Sequence, residues 1–180
     1  MNAPPIPRKT MSYDASQGEL REGDARYLVL RDDSLMGMFR RLPADARREA
    51  LRALAESVAE HGGRSAQRYR ATGTAGSGEF LASLEETAAQ LGWGVWRFSG
   101  IEIGELHLEV ENSPFAHGYG ASPELVCAPI TGVLGAVASI VLGAPAQAEE
   151  HICASAGGAI CRFSARPQNR PAGRPRGHQD

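Results

Sequence analysis

All three cysteines of the chain fall in one frame: Cys127, then Glu150-x-x-Cys153, then Cys161 after seven further residues. Between Cys127 and Glu150 runs an almost wholly apolar stretch, Ala128 to Ala148. Three thiols and one carboxylate complete a tetrahedral set for a borderline-soft divalent ion. Ligation by cysteine alone is ruled out, because there is no fourth cysteine. A fold that uses this frame must return the end of the apolar run to its beginning. The carboxylate is open to competition. Strand alternation puts Glu149, His151 and Cys153 on one face, so Glu150 reaches the thiols only across a bend or an irregular strand end.

The same region carries a family resemblance. Asn112-Ser113-Pro114-Phe115, Cys127-Ala128-Pro129-Ile130-Thr131-Gly132, Glu149-Glu150-His151-Ile152-Cys153, Gly157 and Cys161-Arg162-Phe163 resemble the 4-vinyl reductase domain family. The resemblance is firm over residues 90 to 165. That family includes proteins linked to bacteriochlorophyll synthesis and the sensory domains of phenol- and xylene-responsive activators. The resemblance implies a structural zinc held by Cys127, Glu150, Cys153 and Cys161, with Glu150 preferred to Glu149 and His151. It also implies a homodimer, as those sensory domains dimerise.

The remaining composition narrows the function. At 180 residues the chain is long enough for one domain with a real core. A net charge of −2 gives no electrostatic case for nucleic-acid binding. The amino terminus, with Pro4, Pro5 and Pro7, lacks the apolar core of a secretory signal. The apolar run is too broken by Pro129, glycines and Pro145 to span a bilayer. These features lead to the expectation of a cytoplasmic protein with reduced thiols and no membrane partner.

Along the chain, residues 1–24 read as a flexible arm, 25–165 as a single domain and 166–180 as a disordered basic tail. Tyr27 to Leu30 is a short apolar run compatible with a strand. Asp32 or Asp33 caps a helix carrying Leu35, Met36, Phe39 and Leu42. Pro43 opens a second helix that Gly62-Gly63 should stop near His61. The glycine-rich stretch 71–78 reads as a flexible connector. A third helix spans Glu79 to Leu91. Trp93 to Phe98, continued by Ile101 and Ile103, and the alternating Leu106, Leu108 and Val110 then predict an antiparallel sheet with one face covered. A buried helix over Leu125 to Leu142 and two strands, Ala148–Cys153 and Ile160–Ala165, follow. The expected fold is α+β, helices packed on an antiparallel sheet, with a zinc-stapled helix and C-terminal hairpin.

The chemistry outside the cysteine frame is sparse. No dinucleotide fingerprint, four-cysteine cluster motif or haem attachment motif is present, and no histidine stands in a nucleophile motif. Trp93, Trp96, Phe98, Phe115 and Tyr119 instead gather around the sheet, as an apolar ligand cavity requires. In a regular strand Trp93 and Trp96 have opposite parity, so only one should face the interior. These features favour a sensor or accessory domain for a hydrophobic small molecule. The family resemblance offers two alternatives: a tetrapyrrole vinyl reductase or pigment-handling factor, and an assembly scaffold.

Overall fold

The computed structural model describes residues 11–72, 76–101 and 104–168. Its organising element is the alternation of β5 (Leu106–Glu111). Leu106, Leu108 and Val110 are buried on one face, while Glu109 and Glu111 pair with Arg162 and Arg97 on the other. Strand β4 (Val95–Ser99), strand β7 (Cys161–Pro167) and strand β6 (Ala146–Ile152) complete a four-stranded antiparallel sheet in the order β4-β5-β7-β6.

Helices cover the apolar face. The wholly apolar helix α5 (Ala128–Val141) lies on β6 and β7 and buries Ile130, Leu134, Val137 and Ala138. Helix α2 (Ala44–Thr72) packs along α5, and α3 (Ser77–Gln90) lies against β4 through Phe80, Leu81, Leu84 and Ala88. The short helices α1 (Asp32–Arg40) and α4 (Pro114–Tyr119) pack together. The molecule is therefore α+β, with helices on an antiparallel sheet.

Several local expectations are corrected. Gly62 and Gly63 do not end α2, which continues to Thr72. They lie where it crosses α5, and a Cβ on Gly63 would stand 3.1 Å from the Ala136 methyl. Glycine here permits close helix packing, and that benefit outweighs its poor propensity. Helix α5 begins at Ala128, with Cys127 as its cap, later than the expected start at Leu125. The hexapeptide helix α4 had no counterpart in the sequence reading; Ser113 caps it by accepting from Ala116 N, and Pro114 opens it.

The amino-terminal segment also differs from a flexible arm. Strands β1 (Ser12–Asp14), β2 (Glu19–Glu22) and β3 (Ala25–Tyr27) form a three-stranded antiparallel sheet. The first turn is fixed by Asp14 Oδ1, which accepts from the backbone N–H groups of Ser16 and Gln17. Leu28, Val29 and Leu30 are 84%, 83% and 53% exposed and follow β3 instead of forming a strand. Arg166 and Pro167 belong to β7. Residues 1–10 of the expected arm, 169–180 of the expected tail, 73–75 of the expected connector and Ile103 lie outside the described residues.

Candidate metal centre and ligand cavity

The frame closes where α5 meets the β6–β7 hairpin. Cys127 caps α5, Cys153 follows β6, and Cys161 begins β7. A short 3-10 turn, Ala154–Ala156, joins the strands. Strand alternation is broken by a register shift between Glu150 and Ile152. A bulge of this kind turns a side chain to the other face, so Glu150 and Cys153 reach the same point. Of the competing groups, Glu149 is exposed, and His151 is turned to Ser164, with Nε2 2.8 Å from its hydroxyl.

One potential ligand atom from each of Cys127, Glu150, Cys153 and Cys161 lies within 4.8 Å of the other three. Cys127 Sγ is 3.7 Å from both Cys153 Sγ and Cys161 Sγ. A tetrahedron with metal–sulfur bonds of about 2.3 Å has sulfur–sulfur edges of about 3.8 Å. The spacing fits ligation, and it is far too long for a disulfide at about 2.05 Å. Glu150 Oε2 accepts from Cys127 N at 2.9 Å, while Oε1 is buried without a hydrogen-bond partner among the described residues. A buried carboxylate oxygen without a donor is costly, and a cation among the thiols removes that cost. The donor set and its unsatisfied oxygen therefore fit a divalent ion.

The surroundings set the charge of each group. Burial, followed by the neighbouring Cys153 thiol, pushes the Glu150 carboxyl up to about 8. Hydrogen bonding to Cys153, then to Cys161, and burial push the Cys127 thiol far up. At Cys161, Cys127 acts downward, but Cys153 and burial outweigh it and leave the thiol at about 11. Cys153 is held far below the ordinary thiol range by hydrogen bonds from Cys127, Cys161 and Ser155. Negative charge thus collects on Cys153.

Supporting groups absent from the sequence reading surround the thiols. Ser113 Oγ lies 3.2 Å from Cys127 Sγ, and Ala154 N donates to Cys161 Sγ at 3.3 Å. Ser155 Oγ lies 3.0 Å from Cys153 Sγ and 3.2 Å from the Glu124 carbonyl. The buried serine next to a buried cysteine was the available signal. Nothing in the sequence distinguished it from ordinary turn chemistry.

A separate cavity of ≈ 590 Å³ lies between β3, α2, α3 and the start of β4. Both Trp93 and Trp96 line it, contrary to the parity expectation. Trp93 precedes the strand, and Gly94 between them sits at φ 93, so strand parity does not govern the pair. Gly94 also passes against Glu111, where a Cβ would collide with the backbone carbonyl oxygen. Trp96 Nε1 donates to Trp93 O at 3.0 Å.

The other three expected aromatics stand outside the cavity wall. Phe115 meets Trp93 edge-on at 5.0 Å, and Phe98 meets Trp96 at 5.9 Å. Tyr119 is buried, with the Arg40 guanidinium 6.0 Å over its ring. Much of the wall comes from residues the sequence reading did not select, including Val58, His61 and Arg68 of α2 and Tyr27 of β3. None belongs to a motif.

Comparison with known proteins was made against this geometry. The family model of the 4-vinyl reductase domain matches residues 106–167. No curated protein matches the chain. Among solved structures, the phenol-responsive sensory domain of the transcription activator PoxR, with phenol, is similar at a TM-score of 0.69 and 18% identity. The match covers 89% of this chain and 86% of that one. A trafficking protein particle complex subunit 3 from Naegleria fowleri, covalently bound to palmitic acid, is similar at a TM-score of 0.52 and 14% identity. It covers 77% and 95% of the two chains. A vinyl-4-reductase family protein from Methanocaldococcus jannaschii gives 0.49 and 12%, over 79% and 98%. No helix among the described residues is long and apolar enough to cross a membrane. Through the stretch that holds β5, α5, the closing hairpin and all four clustered metal-binding positions, this chain belongs to the 4-vinyl reductase domain family.

Proposed function

We propose that this protein is a small-molecule binding domain, acting as a sensor or accessory protein, whose fold is fastened by zinc. The observation that carries this reading is the ≈ 590 Å³ cavity, walled by Trp93 and Trp96, within a fold shared with a phenol-responsive sensory domain. Its volume is in the range that encloses small organic ligands, about 300–1,000 Å³. Cys127, Glu150, Cys153 and Cys161 hold the zinc, with Oε1 as the Glu150 ligand atom. Zinc bound by four protein groups supplies structural cross-linking and Lewis acidity without an open position for substrate. The chain acts as a homodimer in a reducing compartment, where the thiols stay available.

Native mass spectrometry of the purified protein tests this reading. The expected spectrum shows one zinc per chain, two chains per particle and retained mass from a small apolar molecule, or its uptake when aromatic compounds are added. Thermal-shift measurement over indoles, phenols and polycyclic hydrocarbons provides the second readout. A metal-free, ligand-indifferent protein would overturn the proposal.

A further inference from the structure

The cavity is apolar on one side and cationic on the other. Leu84, Leu91, Trp93, Trp96 and Val133 supply the apolar wall. Helix α2 contributes His61, Arg64 and Arg68, at helical spacings of three and four, and β3 adds Arg26. Against three arginines and a histidine, Asp24 is the only carboxylate on the wall among the described residues. Glu19, which pairs with Arg26 at 3.1 Å, and Glu60, which pairs with Arg64, are not part of it. A guanidinium has five N–H donors, so a pairing that fixes the side chain still leaves donors to offer. His61 makes no hydrogen bond or ion pair among the described residues.

Charge of one sign beside low-dielectric walls concentrates its field within the cleft. Guanidinium forks match a carboxylate in shape as well as charge. A hydrocarbon would leave this edge of the cavity unused. Size gives the second constraint: a cavity of about 150 Å³ already accepts benzene, and this one is roughly four times larger. A single ring would fill only a fraction of it.

Resting on the reading of this cavity as a ligand site, we propose that its ligand is an amphipathic monoanion. The apolar body is larger than one aromatic ring and lies against Trp93 and Trp96. Its single carboxylate is held by His61 and Arg68, with Arg26 and Arg64 beside them. A fused-ring acid and a medium-chain fatty acid share this chemistry, and the test separates them.

The full-length, zinc-loaded protein is titrated with matched pairs, reading tryptophan fluorescence and thermal shift. One pair is anthracene-9-carboxylate and 9-hydroxymethylanthracene; the other is dodecanoate and dodecan-1-ol. In at least one pair the acid should bind ten-fold or more tightly than its neutral partner. That advantage should shrink as salt is raised. Which pair shows it identifies the body as rings or chain. Arg68→Gln and His61→Gln, each made separately and checked for unchanged zinc content, should bring the acid's advantage towards parity. If the neutral partners bind as tightly as the acids, the anion assignment is overturned while the cavity reading stands. If neither member of either pair binds, both are overturned.

Discussion

At the scale of single residues, the metal centre is a problem of proton ownership. Before an ion arrives, Cys127 and Cys161 keep their protons at pH 7, as does most of the Glu150 population, whereas Cys153 has lost its own. Zinc entry must displace protons from the first three groups. Calorimetric titration at pH 7 in buffers of different ionisation enthalpy should therefore count close to three protons per zinc. Glu150→Gln should lower that count by about one. The sign follows: lower pH favours protons over the ion, so affinity should fall as pH falls, and the loss should be steepest below the Glu150 value of about 8. Ser155→Ala removes the hydroxyl beside Cys153. It should weaken zinc about 10–100-fold, the usual cost of losing a group that orients a ligand. Cys153→Ser should abolish binding and lower the melting temperature sharply, because binding free energy is folding free energy at such a site. Metal analysis and melting of each variant check both outcomes.

At the scale of elements, the contact between α2 and α5 decides how tightly the helical layer closes. Gly132 of α5 lies so close to α2 that a Cβ there would collide with the carbonyl oxygen of Ala55. Gly132→Ala should therefore destabilise the protein by about 1–3 kcal/mol, the range for overpacking a close-packed interior, despite alanine's better helix propensity. Chemical denaturation measures the loss, and zinc content should be unchanged. The sequence made this contact only half legible. Small residues on α5 announced a close approach, but Gly62 and Gly63 looked like a stop because local propensity carries no information about the partner helix. Strand β5 was legible from alternation, since burying one face leaves a period-two record in Leu106, Leu108 and Val110. The bulge at Glu150 left no such record: register depends on a partner strand, and a single-strand pattern cannot express it. The cavity was least legible, because β3 and α2 join its wall through tertiary packing alone.

At the scale of the whole molecule, the cavity and the metal centre are distinct sites joined through α5, which is capped by Cys127 and contributes Val133 to the cavity wall. A ligand that binds only the folded state should raise the stability by about 2.7 kcal/mol at a hundred times its dissociation constant. Its entry should quench tryptophan emission. Trp93→Ala should weaken the quench and the thermal shift together while metal analysis still finds one zinc per chain. Loss of zinc in that variant would show that the two sites fold as one unit.

The family match spans residues 106–167, and within it lies the entire ligating set. Of the cavity's lining residues, Val133 alone comes from that stretch; the others precede it. Inheritance in this architecture is therefore split. The signature that identifies a 4-vinyl reductase domain records how the fold is fastened, while the earlier, unsigned part of the chain records what it recognises. Substitutions can accumulate in β3, α2 and α3 and change the occupant without touching the fastening. Two chains with the same cysteine frame thus have no obligation to share a ligand, and specificity has to be read from the residues that carry no motif.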